Sequence, residues 1–431
     1  MPVLTNWSRW WISSPAGFAQ PTSEDQVIAL IRRAASAGQQ VRVTGATHSW
    51  SDGPATSGIS LSLDGLSRVL AIDRAAGTVT VQAGIRLFQL NQRLASEGLA
   101  LPVVGSIDRQ SVAGAISTAT HGSAPRLGNL ASGVRALRLV CADGSVKALS
   151  REREPELFSA ARVSLGALGV ITEVTLRVVP AFDLEEIAEP LPLEEALARI
   201  PALVESEPFV KLWWLPHTGR ALVSRCRPTT ARRTFSPLAR WIDAHLVNAW
   251  VFRFLLFLGA VLPALTPPIM RLVRLAYFVP RRTVGRSDLL LTVPMPPVHQ
   301  ESEYALPIEA AAEAVRRLAE VIERERINVD FVCELRFVAA DDALLSPDQG
   351  RQSCRLGCYL ARRRDVPRLF AAFEQEMLAL GGRPHWGKLF SASPDTLRAA
   401  VPGLARFDEL RRALDPKGMF ANGYVRRIFG A

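Results

Sequence analysis

The chain has 431 residues, 48% of them hydrophobic and 21% charged, with a formal net charge of +10. This length and apolar share exclude a disordered chain and provide for a sizeable core, in two domains or in one large domain with a lid. The charge favours anionic partners, but it comes mainly from Arg spread along the chain, and no basic stretch interleaved with aromatics marks a nucleic-acid binder.

In chain order, Glu24 to Ala37 has the spacing of a helix, with Val27, Leu30, Ile31 and Ala34 on one stripe and Pro21-Thr22-Ser23 as its start signal. Val41-Arg42-Val43 reads as a short strand that opens into a Gly-rich turn. Ile59 to Leu63 and Thr78 to Gln82 alternate as strands, Leu87 to Ser96 returns to helical spacing, and Val134 to Val140 and Val170 to Val179 are further strands. The Pro- and acid-rich stretch Pro180 to Pro192 reads as a joint between domains. Beyond it, Val210 to Leu215, Ala221 to Arg225, Leu289 to Val293, Val329 to Val338 and Leu356 to Leu360 read as strands, and Ile308 to Arg326 and Val366 to Leu380 as helices. Leu246 to Leu265 is strongly apolar, with Arg253 as its one charge and Arg240, Arg271, Arg274, Arg281 and Arg282 around it. Pro263, Pro267 and Pro268 argue against a full bilayer span. The expectation is a buried or dimer-covering helix of a lid, with an interfacial helix in peripheral membrane contact as the alternative.

Five cysteines, at positions 141, 226, 333, 354 and 358, contain no C-x-x-C pair and have no zinc-like arrangement with histidine. The expectation is free thiols in a reducing, cytoplasmic setting, and no metal. Met1 to Ser14 holds three Trp and no apolar run, so no secretory signal is expected.

The chemistry-bearing motifs are few. The chain has no G-x-G-x-x-G, no G-x-x-x-x-G-K-[ST] and no H-E-x-x-H. Two turns rich in small residues offer another way to hold a dinucleotide. One is Val43-Thr44-Gly45-Ala46-Thr47-His48-Ser49. The other runs from Gly105-Ser106 through Ser111 and Gly114 to Thr118-Ala119-Thr120-His121-Gly122-Ser123. Small side chains admit close backbone approach, and N–H groups and hydroxyls can hold pyrophosphate oxygens; ordinary loops share this composition. In Val329 to Val338, alternation puts Asp330, Glu334 and Arg336 on one face. Glu334 and Arg336, about 7 Å apart along a strand, either address one small molecule as mutual partners or form an ion pair on a solvated face. Lys388 is either a cation beside an anionic group or an exposed loop lysine.

The runs VRVTGATHSWSD (41–52), GSIDRQSVAGAISTATHGS (105–123), SLGALGVITEVTL (164–176), RPHWGKLF (383–390) and LDPKGMFANGY (414–424) resemble, in order, the vanillyl-alcohol-oxidase-type flavoproteins. The resemblance is to the branch of sugar-1,4-lactone oxidases (gulono-, galactono- and arabinono-lactone) and alditol oxidase. It implies an α+β fold: a two-lobed, PCMH-type FAD-binding domain over 1–180, then an α+β substrate cap over 181–431, with 404–431 returning to the first domain. It implies FAD joined covalently to His48, the alternative being a capped turn histidine. It places the FAD against Thr44, Gly45, Ala46, Thr47, Ser49, Gly105, Ser106, Ser111, Gly114, Thr118, His121, Gly122, Ser123 and Ile171. It makes Glu334, Arg336 and Lys388 catalytic and gives Ser106 and His385, with the Glu-x-Arg pair, to the substrate. The implied reaction oxidises a sugar lactone or polyol by hydride transfer to flavin N5: Glu334 and Arg336 bind the hydroxyls and assist proton removal, and Lys388 steadies the negative charge. O2 or another acceptor completes turnover, and a small residue at Gly105 favours oxygen.

The stretch Thr234 to Tyr277 is more apolar than the resemblance leads one to expect, whereas Asp108-Arg109 favours the lactone branch over alditol oxidase. Two rival readings are an alditol oxidase and a membrane-surface binding protein on a degenerate flavin fold.

Overall fold

The computed structural model describes residues 3–361 and 363–430. Local sequence accounts for the first elements. In helix Glu24–Ser36, Ser23 caps the start by accepting from the Gln26 N–H, Glu24 and Asp25 lie in the first turn, and Val27, Leu30, Ile31 and Ala34 are buried. Strand Val41–Thr44 pairs in parallel with Ile59–Ser62, which pairs with Gly17–Ala19. A five-stranded antiparallel sheet follows, in the order Val146–Ser150, Val134–Val140, Val170–Arg177, Thr78–Gln82, Val69–Asp73. One apolar core joins these lobes and takes in the end of the chain, where Leu404, Phe407, Phe420 and Phe429 pack with Ile31 and Val81. Buried Arg42 ties the same parts together. Its guanidinium donates to the carbonyls of Gly53 (2.6 Å), Leu165 (2.8 Å) and Phe420 (2.6 Å).

The second half is built on an eight-stranded antiparallel sheet. Its order is Arg281–Arg286, Asp183–Pro192, Arg220–Thr229, Phe209–Leu215, Cys333–Val338, Ser353–Leu360, Gln300–Pro307, Arg383–Pro384. The register divides its two faces by chemistry. Leu212, Leu335 and Leu356 pair side by side and pack into a core with Leu318 and Val321 of helix Ala311–Arg324 and Leu369 and Phe373 of helix Val366–Ala379. The opposite face carries Trp213, Glu334, Arg336, Arg355, Tyr359, Glu301 and Glu303, placed together by the same register.

Four sequence expectations are corrected. Asp183–Pro192 is a ten-residue strand rather than a joint: its acids have Arg partners, Asp183 with Arg233 and Glu185 with Arg282, and its prolines lie beyond Ala188, where pairing on one side ends. Leu289–Val293 is no strand, because Ser287–Leu290 is a helical turn and Arg240 takes the carbonyls of Leu289 and Thr292. Strand 329–338 starts only at Cys333; Asp330, before it, accepts from the Ala361 N–H at 2.9 Å. The apolar stretch 246–265 is not buried: Leu246, Trp250, Phe254, Phe257, Val261 and Leu262 are exposed.

Phe407 stacks on Phe429 at 5.5 Å, both fully buried. Phe407→Ala is expected to cost about 3–5 kcal/mol, read as a lower urea midpoint with unchanged slope.

Candidate active site

The first turn leaves strand Val41–Thr44 and meets the second where Ser111 caps the short helix Val112–Ser117, its hydroxyl accepting from the Gly114 N–H. The two turns touch: a Cβ on Gly45 would lie 2.3 Å from Ser111 Oγ. Thr47 adopts a left-handed φ of 52°, costly for a β-branched residue, and Trp7 clamps the spot by donating to the carbonyls of Thr47 (3.1 Å) and His48 (3.0 Å). Between the turns lies a cleft that is partly open to solvent.

Gly45, Ala46, Thr47, His48, Ser49, Ser111, Gly114, Thr118 and Ile171 line this cleft. Gln110, Ser117, Gly166, Gly169 and Tyr424 also line it and were not singled out from the sequence. The signal was present in the runs SLGALG and ANGY, which carry the last three. No Asp or Glu is among the lining residues, while hydroxyls and small residues are many. That donor set fits an anionic pyrophosphate and the flat ring system of a flavin dinucleotide. His48 is mostly buried; burial first, then Arg86 and Arg109, brings its pKa down to about 4, so its imidazole is neutral at physiological pH. Thr44 lies outside the cleft, its hydroxyl bonded to Ser60 at 2.8 Å, and Gly105 packs on Thr120. Ser106, Gly122 and Ser123 line a smaller pocket together with Lys211 and Arg336.

The polar face of the large sheet carries a second cluster, joined to the second turn through Arg336. Glu334 is buried and accepts three hydrogen bonds: from Arg336 Nη2, from Trp213 Nε1 at 2.9 Å and from Tyr359 Oη at 3.1 Å. Burial alone would raise the Glu334 pKa, but the Arg336 guanidinium outweighs it and brings the group down to about 2. Arg336 also reaches the carbonyl of His121 at 3.4 Å. Gly357 leaves room for the arrangement: a Cβ there would stand 3.0 Å from Tyr359 Oη, the side chain that leans across it toward Glu334.

Strand Gln300–Pro307 supplies residues that sequence reading passed over. Glu301 holds the Lys388 ammonium, which also lies over the Trp50 ring at 4.0 Å. Burial pushes the Glu301 carboxyl up, against the pull of Lys388. Glu303 binds His121 Nε2 at 2.8 Å, and His121 Nδ1 meets the carbonyl of Gly122, so His121 is locked among these groups and away from the cleft walls. His385 accepts from the Gly387 N–H at 2.9 Å, and burial holds its pKa well below the usual value. His121, Glu303 and His385 offer metal-ligand atoms within 4.8 Å of one another. The cation already at this spot is Arg355, 3.7 Å from Glu303 and fully buried. The loop bearing Lys388 joins the two parts: the Trp50 N–H donates to the Gly387 carbonyl at 2.8 Å, and Trp50 Nε1 to that of His299 at 2.8 Å.

A cleft lined by small and hydroxylated residues, bonded to a sheet face of buried charge through Arg336 and Trp50, fits a flavin-dependent oxidoreductase, and comparison with known proteins gives that class. An FAD binding domain matches residues 15–150, and the D-arabinono-1,4-lactone oxidase family matches residues 174–428. The L-gulono-1,4-lactone dehydrogenase of Mycobacterium tuberculosis is 34% identical over 431 residues, covering 100% of this chain and 99% of that protein. The L-gulonolactone oxidase of Bos taurus is 33% identical over 430 residues, 98% of this chain and 97% of its own. The chain belongs to the D-arabinono-1,4-lactone oxidase family, and its cofactor is FAD. Among solved structures, a cholesterol oxidase from B. sterolicum is similar in fold, with a TM-score of 0.84 at 16% identity over 99% of this chain and 96% of that one.

Gly45→Ala drives a methyl into Ser111, so purified protein is expected to carry roughly a tenth of the flavin per chain. Adding Ser111→Ala in the same chain restores the space, and flavin absorbance after gel filtration reads both effects.

Proposed function

We propose that the chain oxidises a secondary alcohol of an aldono-1,4-lactone, of the gulono- or arabinono-lactone kind, with FAD as immediate oxidant. The observation that carries this reading is the buried Glu334–Arg336 pair, tied to the second turn through Arg336 and the His121 carbonyl. Bound FAD supplies the two-electron acceptor for the alcohol carbon. Glu334, ionised across the physiological range, accepts a hydrogen bond from a substrate hydroxyl, and Arg336 donates to the lactone oxygens. With so low a pKa, Glu334 orients the hydroxyl rather than holding its proton, which would leave to solvent as the alcohol becomes a carbonyl. Ser106 and Lys211, in the same pocket as Arg336, complete the polar contacts, and His385 orients the corner that carries Lys388. Lys388 gives that corner a positive charge, tempered by Glu301. O2 or another acceptor takes the electrons onward.

We further infer that His48 carries the flavin covalently; a neutral, mostly buried imidazole in the cleft wall supports this. Residues 1–180 are read as the FAD-binding domain and 181–431 as the cap, with 404–431 returning; the shared core of Ile31, Phe407 and Phe429 supports the return. Five free, buried cysteines support a reducing, cytoplasmic setting, and the exposure of 246–265 supports peripheral membrane contact.

Aerobic and dye-coupled assays on a panel of lactones and alditols test the reaction: turnover of gulono- or arabinono-lactone is expected, and turnover confined to xylitol or sorbitol would overturn it. Acid precipitation tests the linkage. Yellow colour is expected in the pellet, moving to the supernatant in His48→Ala; colour in the supernatant of the unaltered protein contradicts the bond.

A further inference from the structure

Helix Pro237–Val261 is 25 residues long, apolar enough to cross a bilayer, and 11% of its most apolar stretch is buried. A core helix would be mostly covered. Here Trp250 is 73% exposed, Phe257 61% and Phe254 59%. Single exposed apolar residues are ordinary on a soluble surface, but a run of this size marks an interaction site. The following helix, Thr266–Tyr277, adds exposed Leu272 and Leu275.

The hairpin already has an inner face. Leu256 packs with Phe331 and Tyr359, and Ile269 and Met270 pack with Ala188 and Leu222. The exposed side chains are therefore its outer face and not a core left uncovered. The hairpin also starts and ends at one strand: Thr234 and Phe235 both donate to the carbonyl of Val284 at 2.9 Å, on the strand that follows Tyr277. A segment anchored at both ends on one sheet, and packed on the body through Leu256, Ile269 and Met270, lies on a surface and does not thread through a membrane.

Charge selects the surface. Residues 237–277 contain four Arg (240, 253, 271 and 274) and one acid, Asp243, whose carboxylate accepts from Tyr277 Oη at 3.3 Å. Arg253 and Arg271 are exposed and have no ion-pair partner among the described residues. Trp with apolar side chains suits the headgroup boundary, and Arg on long stems reaches phosphate while its methylenes stay apolar. A second copy of the chain would set these arginines against their own kind.

We propose that the hairpin 237–277 docks on an anionic phospholipid surface, with Trp250, Phe254 and Phe257 inserted at the headgroup boundary and Arg253 and Arg271 on lipid phosphates. This rests on the peripheral contact proposed above and adds its mode and lipid chemistry. Docked in this way, the hairpin stands one side chain from the pocket, since Tyr359 beneath Leu256 donates to Glu334.

The test is sedimentation of the flavin-loaded enzyme with vesicles of phosphatidylcholine alone or mixed with phosphatidylglycerol, at low and high salt. Expected are roughly tenfold more protein on the anionic vesicles and release by salt. The triple variant Trp250→Glu, Phe254→Glu, Phe257→Glu is expected to lose that binding while keeping its flavin spectrum and dye-coupled lactone turnover. Equal binding to both vesicle types overturns the anionic chemistry and leaves the contact standing. No binding to either overturns both, and a dimer in light scattering that the triple variant dissolves would give the face to a second copy. Lactone turnover in solution is read separately, so the reaction stands or falls on its own.

Discussion

Burying a carboxylate and a guanidinium costs several kcal/mol for each ion unless every lone pair and N–H finds a partner. The pair Glu334–Arg336 imposes that condition on the large sheet, and much of the sheet's polar face is arranged to meet it. Trp213 comes from the strand on one side and Tyr359 from the strand on the other, while Arg336 reaches the His121 carbonyl of the cofactor half. Gly357 stands directly opposite Glu334, where a Cβ would crowd the Tyr359 ring at 3.0 to 3.2 Å. The apolar opposite face of the same strands, packed on two helices, fixes the register that brings these groups together.

The two parts of the site are separate in sequence and meet through a few bonds. Trp50, directly after the His48 turn, donates to the loop that carries Lys388 and to the carbonyl of His299, and its ring lies under the Lys388 ammonium. Glu301 and Glu303, two apart on one strand face, take Lys388 and His121 respectively. Alternate carboxylates on one strand thus position one cation beside Trp50 and one imidazole of the second turn. Arg355, between Glu303 and Asp348, balances the buried acids.

Local physics made part of this legible from sequence. The stripe Val27, Leu30, Ile31, Ala34 and the small residues around His48 carry their own signals, as does the alternation around Glu334. Glu301 and Glu303 were not legible: acids at alternate positions read as a solvated strand face, and only the tertiary fold shows them buried beside Lys388 and His121. Asp183–Pro192 looked like a linker because acids and prolines are linker residues; its Arg partners lie some 50 and 97 positions onward. The exposed hairpin was legible only as one of two alternatives, since apolar spacing cannot say whether its face meets a core or a bilayer.

The central claim is that the buried Glu334–Arg336 pair binds the lactone. The direct measurement is kcat/KM of Glu334→Gln on gulono-lactone, with flavin content and the urea midpoint as controls. The substitution keeps the shape and removes the charge that Arg336 balances. A fall of about 100-fold with FAD fully bound is the result expected if the pair binds the lactone. A kcat/KM within about threefold of the unaltered enzyme, less than 1 kcal/mol, would contradict it.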